Sequence, residues 1–157
     1  MIRRASFSQC GQYRYTLTRV WDSTRRQMTI IGLNPSTADG THDDPTIRRC
    51  TGLARNWGYG GFLLVNLFSW RSPHPAELKQ QVNAIGPRTN HVIRRSIDRT
   101  DSVLVMWGNH GEHLSRDKAV LRQLGNIPLW CVGQTATGAP KHLLYARNDV
   151  VLQPFSV

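Results

Sequence analysis

Short apolar runs alternate with amphipathic polar stretches along the whole chain, and two periods can be separated. Tyr13-Arg-Tyr-Thr-Leu-Thr-Arg-Val-Trp21 has period two and is rich in aromatic and β-branched residues. It predicts an antiparallel or edge strand, ended by the polar turn Asp22-Ser23-Thr24. Residues 28–33, 62–67, 102–107 and 128–132 are short and nearly continuously apolar, the pattern of strands buried on both faces. Between them the apolar positions fall at helical spacing. Asp43-Asp44-Pro45 is an acidic cap followed by proline, so a helix should start there, bury Ile47, Leu53, Ala54 and Trp57, and stop at Gly58. Further helices are predicted over 75–82, over 87–99 with Val92, Ile93 and Ile97 inside, and over 112–124 on Leu114, Leu121 and Leu124.

Strands separated by helices predict a single α/β domain over 1–157, a three-layer α/β/α sandwich around a mostly parallel sheet. Ligands in such folds bind beyond the carboxyl ends of the strands. That rule selects the loops 32–44, 66–75, 108–113 and 133–145, which hold most of the chain's Asn, His, Gly and Pro residues.

Charge changes the picture next. Twenty basic residues oppose ten acidic ones, a net +10, and seventeen of the twenty are Arg. Arginine's planar fork suits phosphate, whereas a surface built only for solubility mixes signs and uses more Lys. A nucleic-acid partner is therefore expected. No apolar run approaches the roughly 20 residues of a bilayer span, so no membrane partner is expected. The N-terminal arginines are followed by no apolar stretch of a secretory signal, and a cytoplasmic monomer is expected. Cys10, Cys50 and Cys131 are isolated, which argues against a disulfide framework, a zinc ribbon or a four-cysteine cluster.

The loops supply the candidate chemistry. Gly32-Leu-Asn-Pro-Ser-Thr-Ala-Asp39 lacks the glycine and lysine pattern of a triphosphate-binding loop. It does offer the Asn34 carboxamide to orient a water or a carbonyl, and the Ser36 and Thr37 hydroxyls for a phosphate; an Asn-Pro turn with a Ser/Thr cap is the plainer reading. Asn66 ends an apolar strand, where its amide either bonds local backbone or faces a ligand. In the second case Phe68 or Trp70 would stack on a base and Arg71 would reach a phosphate. His110 and His113 are spaced i,i+3, but no third ligand stands at a diagnostic distance, so a helix cap is preferred to a metal site. Lys141 and His142 follow the last strand, placed either to meet an anion or to contact only water. No metal and no cofactor are expected.

Arg14-Tyr15, Leu33-Asn-Pro-Ser-Thr-Ala-Asp39, Asp43-Asp-Pro-Thr-Ile-Arg-Arg-Cys50, Asn66-Leu-Phe68, Trp107-Gly108 and Pro140-Lys-His142 resemble an uncharacterised bacterial family of small proteins, domain-of-unknown-function family 1643. That family's last motif continues His-Pro-Leu-Tyr, where this chain reads His142-Leu-Leu-Tyr145. The order of motifs is also similar, more distantly, to the uracil-DNA glycosylase superfamily. Gly32-Leu-Asn-Pro35 resembles its Gly-x-Asn-Pro motif, Leu63-Leu-Val-Asn66 its base-reading strand, and Val103-Leu-Val-Met-Trp-Gly108 the strand before its last motif. His142 falls at that superfamily's His-Pro-Ser loop but lacks the Pro-Ser.

This second resemblance implies a uracil-DNA-glycosylase-like fold, DNA ahead of RNA as partner, and base flipping. It further implies that Asn66 reads the base, Asn34 positions the attacking water and His142 stabilises the departing base anion. The alternative expectation is a nucleic-acid-binding module that keeps the pocket without catalysis, as the missing Pro-Ser and the Asn in place of Asp suggest.

Overall fold

A computed structural model describes residues 1–157. Seven strands form one mixed sheet: β1 (Ile2–Phe7), β2 (Arg14–Val20), β3 (Gln27–Gly32), β4 (Gly61–Asn66), β5 (Ser102–Val105), β6 (Leu129–Cys131) and β7 (Gln153–Pro154). Their order is β1-β2-β4-β3-β5-β6-β7. The four central strands, β4-β3-β5-β6, are parallel; β1 and β2 on one flank and β7 on the other run antiparallel to their neighbours. Four α-helices accompany the sheet: α1 (Pro45–Asn56), α2 (Pro75–Gln80), α3 (Thr89–Asp98) and α4 (Arg116–Leu124).

The continuous apolar runs are explained by two cores. Met28 and Ile30 of β3 and Leu104 of β5 pack with Ile47, Cys50, Leu53 and Ala54 of α1. The alternate positions Ile31, Val103 and Val105 pack with Ile93 and Ile97 of α3 and Val120 and Leu124 of α4. Successive side chains on a strand point to opposite faces, so a strand apolar at every position needs a partner on both. Truncating one of these fully buried residues, such as Ile30→Ala, should cost about 2–5 kcal/mol. At the start of α1, Pro45 opens the first turn and Asp44 caps it, Oδ1 accepting from the Ile47 amide at 2.9 Å.

Several boundaries differ from the pattern-based expectation, each for a physical reason. β1 was not expected at all: nearly every residue in it is exposed, so it carries no buried face to read, and Arg3 and Arg4 discourage further pairing at this edge. The two-residue β7 is exposed likewise. The expected helix over 112–124 is broken. Asn109–Ser115 forms tight 3-10 turns, and Leu114 (φ 56°) and Ser115 (φ 52°) adopt the left-handed conformation before α4 begins. Leu114 is exposed as a result, not part of the core. The helices expected over 75–82 and 87–99 are shorter, Pro75–Gln80 and Thr89–Asp98.

The connection after β3 leads to β4 on one side, whereas β5 lies on the other side of β3 and leads on to β6. The strand order therefore reverses between β3 and β5, and a crevice is expected beyond their carboxyl ends.

Candidate functional site

A cleft of about 560 Å³ occupies that position. Asn34, Ser36, Thr37, Asn66 and His142, each from a loop or strand end selected by the sequence, line it together. Arg14, Asp44, Asn109, His110 and Tyr145 line it as well.

Asn66 is the last residue of β4 and is only 4% exposed. Its Nδ2 is buried and has no hydrogen-bond partner in the protein. The reading in which Asn66 merely satisfies local backbone is thereby removed. A buried amide donor left unpaired costs about 1–3 kcal/mol, a cost that an acceptor supplied at this atom would relieve.

Asn34 is half committed. Its Nδ2 donates to the Ser72 carbonyl at 2.9 Å and to the Pro35 carbonyl at 3.2 Å, which ties the loop after β3 to the loop after β4. These bonds fix the carboxamide plane and leave Oδ1 as its acceptor.

His142 caps the short 3-10 turn Leu143–Tyr145, Nδ1 accepting from the Leu144 amide at 3.0 Å. Nδ1 must then be unprotonated, which puts the ring proton on Nε2. Burial lowers the His142 pKa below its ordinary value, against a weaker opposing pull from Asp44. At neutral pH His142 is therefore an uncharged Nε2–H donor.

Arg14, at 2% exposure, is a buried cation in the cleft that was not among the expected site residues. Strand alternation hides it. The β1–β2 register pairs Ser6 with Thr16 and then Phe7 with Arg14, skipping Tyr15, and such a bulge re-aims the side chains beyond it. Without the bulge Arg14 would share a face with Thr16 and Thr18; with it, Nη1 donates to the Ala38 carbonyl at 2.9 Å, while Nε is buried and unpartnered. Burial pushes the Arg14 guanidinium down to about 10, with Asp44 pulling the other way, so it stays charged at neutral pH.

The loop between β3 and α1 is held from beneath. Buried Arg19 donates from Nε to Asp43 Oδ1 at 2.9 Å and from Nη2 to the Asp39 carbonyl at 2.6 Å. Asp39 accepts from the Thr41 amide at 2.8 Å and the His42 amide at 2.7 Å, and those bonds hold its carboxyl well below the usual range. Both oxygens of Asp44 are occupied by backbone, Oδ1 by Ile47 and Oδ2 by the Ala38 amide at 3.3 Å.

Four expected residues stand elsewhere. Phe68 is fully buried with its ring 5.6 Å from that of His113, so it has no face to offer a base. Trp70 packs against the core under α3 and α4; its carbonyl accepts from Asn34 Nδ2 at 3.4 Å and its backbone pairs with Tyr13. The Arg71 guanidinium lies over the Phe7 ring at 4.7 Å and donates to the Gly11 carbonyl. Lys141 lines a neighbouring depression that shares His142 and Tyr145 with the cleft. Two aromatic rings line the cleft itself: Trp107, which is buried, and the exposed Tyr145, 6.3 Å from His142 between ring centres. His113 packs against Phe68 while His110 lines the cleft, and no group of three or more His, Cys, Asp or Glu side chains is placed to hold a metal.

A family model described as "Protein of unknown function (DUF1643)" matches residues 14–144. The chain belongs to the DUF1643 family. No curated protein and no solved structure matches it. The DUF1643 match starts on Arg14, the buried cation, and stops one residue before Tyr145. It spans the central strands and every other residue of the cleft, and leaves the exposed β1 and β7 outside. No helix of this DUF1643 chain is long and apolar enough to cross a membrane.

Proposed function

We propose that this DUF1643 protein is a DNA-acting N-glycosylase, a three-layer domain of uracil-DNA-glycosylase-like design that flips a modified or mismatched base into the cleft and releases it by hydrolysis. The observation that carries this reading is the Asn66 amide. It is buried, unpartnered, and shares one cleft with Asn34 and His142. A carboxamide presents a donor and an acceptor side by side, which matches the edge of a nucleobase. Tyr145 replaces Phe68 and Trp70 as the stacking ring.

In the reaction, a water oxygen bonds to the sugar carbon while the bond from that carbon to the base nitrogen breaks. Asn34 Oδ1 accepts a hydrogen bond from the water and orients it. Negative charge grows on the base, and the His142 Nε2–H stabilises it there. The water's proton ends on the departed base, because a carboxamide cannot accept it. Neutral His142 suits this role, since it donates without having to lose a charge. Ser36 and Thr37 at the cleft lining are the phosphate contacts of this reading.

Asp44 supports a second reading. It is the carboxylate of the cleft, and both its oxygens accept backbone N–H bonds, so it is engaged in holding the loop and the start of α1. That arrangement suits a nucleic-acid-binding module that recognises a base without releasing it. Incubating the protein with oligonucleotides carrying modified or mismatched bases, then cleaving abasic sites with alkali, separates the two. Strand cleavage at one lesion supports the glycosylase. Binding without cleavage across the panel leaves the module.

A further inference from the structure

A second cavity, of about 550 Å³, lies between α3 and the outer strands β1 and β2, and it shares no lining residue with the cleft. Arg88, Arg95 and Arg99 line it together with His91. Their spacing of three, four and four places all four on one side of α3 and its two flanking residues, a basic stripe about 16 Å long. Arg4 of β1 faces them from the opposite wall. The floor is made by hydroxyl-bearing strand positions such as Thr16 and Thr18, on the face of β2 opposite Leu17.

The composition of this groove is one-sided. No carboxylate lines it. None of its four arginines takes part in an ion pair, whereas Arg3, the neighbour of Arg4 on the same strand, pairs with Asp43. The acid within α3, Asp98, neutralises none of them, and Asp101, just before β5, accepts from the Gln27 amide at 2.9 Å. An ordinary solvated helix face would interleave acids at i,i+4. Four like charges held along one groove repel one another, and that arrangement is relieved by a polyanion. The groove has no exposed Phe, Tyr or Trp: Phe62 is 1% exposed. Its lining is suited to gripping phosphates more than to stacking bases.

We propose that this groove is a phosphate-backbone-binding track for nucleic acid, separate from the cleft, which anchors the polymer without reading its sequence. Arg88, Arg95 and Arg99 contact phosphates along the polymer, Arg4 closes the groove from the strand side, and the Thr18 hydroxyl is placed to donate to a phosphate oxygen. The track rests on charge and shape alone, and it stands whether or not the cleft releases a base.

The test measures binding of a fluorescently labelled duplex oligonucleotide by anisotropy over a range of salt concentrations. The triple variant R88Q/R95Q/R99Q is compared with R25Q/R55Q/R122Q, which removes the same charge from exposed positions outside both cavities. The groove variant is expected to bind about tenfold or more weakly at moderate salt, with a salt slope lower by about 2–3, one phosphate for each lost arginine. The control variant should keep a slope near that of the parent. Equal losses in the groove and control variants would reduce the effect to net charge and overturn the proposal, as would a groove variant that binds like the parent. Binding by the parent to anionic phospholipid vesicles but not to the oligonucleotide overturns it too. Circular dichroism of each variant checks that it remains folded. Base release plays no part in this readout, so failure of the glycosylase reading and failure of the track give different results.

Discussion

Gly32 and Asn66 are register partners on the parallel strands β3 and β4, and a methyl group on Gly32 would sit 2.7 Å from Asn66 Oδ1. That distance is well inside van der Waals contact. The glycine lets the Asn66 carbonyl lie against the β3 backbone, and the amide nitrogen is left buried with no protein acceptor. The neighbouring strand thus sets the orientation of the Asn66 carboxamide.

Replacing either partner should separate recognition from stability. Asn66→Ala removes no hydrogen bond made by Nδ2, so unfolding free energy should change by less than about 1 kcal/mol while lesion-dependent binding is lost. Gly32→Ala forces the Asn66 amide or the nearby Met106 methyl to move and should cost about 1–3 kcal/mol, with the same loss of recognition. Thermal melting and oligonucleotide binding on both variants check this. A destabilised Asn66→Ala that binds normally would show Asn66 to be structural.

Two arginines reach the same carboxylate and should differ in effect. Arg19 is 1% exposed, holds Asp43 at 2.9 Å and also binds the Asp39 carbonyl; Arg3 is 42% exposed and approaches Asp43 at 3.6 Å. Arg19→Leu removes several charge-assisted bonds and should lower stability by about 2–4 kcal/mol, with protease sensitivity appearing first in the loop between β3 and α1. Arg3→Ala, an exposed pair, should cost about 0–1 kcal/mol. Urea denaturation of the two variants measures the contrast.

What the sequence made legible follows from burial. The central strands and α1 could be read because Ile30, Ile31, Ile47 and Leu53 are each fully covered and must be apolar. Asn34, Asn66 and His142 were found by position at strand ends, the part of the site that topology alone assigns. Arg14 was hidden because a bulge at Tyr15 reverses the facing that alternation implies. Phe68 was misjudged in the opposite sense: two residues beyond a strand end, an aromatic ring can stack on a ligand or fill the core, and sequence spacing does not distinguish the two. β1 left no signal because an exposed edge strand buries nothing.

Acid should weaken the fold through His142. Its folded pKa lies below the ordinary value because burial penalises the charged ring. The unfolded chain therefore binds the proton first. The stability contributed by neutral His142 is fully present above about pH 6.5 and is lost as pH falls towards the folded pKa. His142→Gln, which stays neutral, should show a shallower decline in melting temperature between about pH 7 and 5 than the parent. Parallel curves for the two proteins would place the acid sensitivity elsewhere.

His142 and Asn34 should act on one reaction from two sides. They sit on loops after different strands, yet line one cleft. Breaking the glycosidic bond puts positive charge on the sugar and negative charge on the base. The water held by Asn34 Oδ1 meets the first, and the His142 Nε2–H meets the second. Loss of one preorganised donor to a developing anion typically costs about 2.7–4 kcal/mol, a hundredfold or more in rate. His142→Ala should therefore slow single-turnover base release by that order while duplex affinity, set by the arginines, barely moves. Asn34→Ala should slow release similarly and, because it also breaks the bond to the Ser72 carbonyl, should lower stability by about 0.5–1.5 kcal/mol. Asn34→Asp is the sharper probe. Its carboxylate keeps an acceptor for the water and gains the capacity to take its proton, but gives up the amide donor that ties the loop to Ser72. Faster release by Asn34→Asp at reduced stability would show that the carboxamide limits the rate. Release at the parent rate by both alanine variants would mean that neither residue takes part in the chemistry, whatever the protein binds.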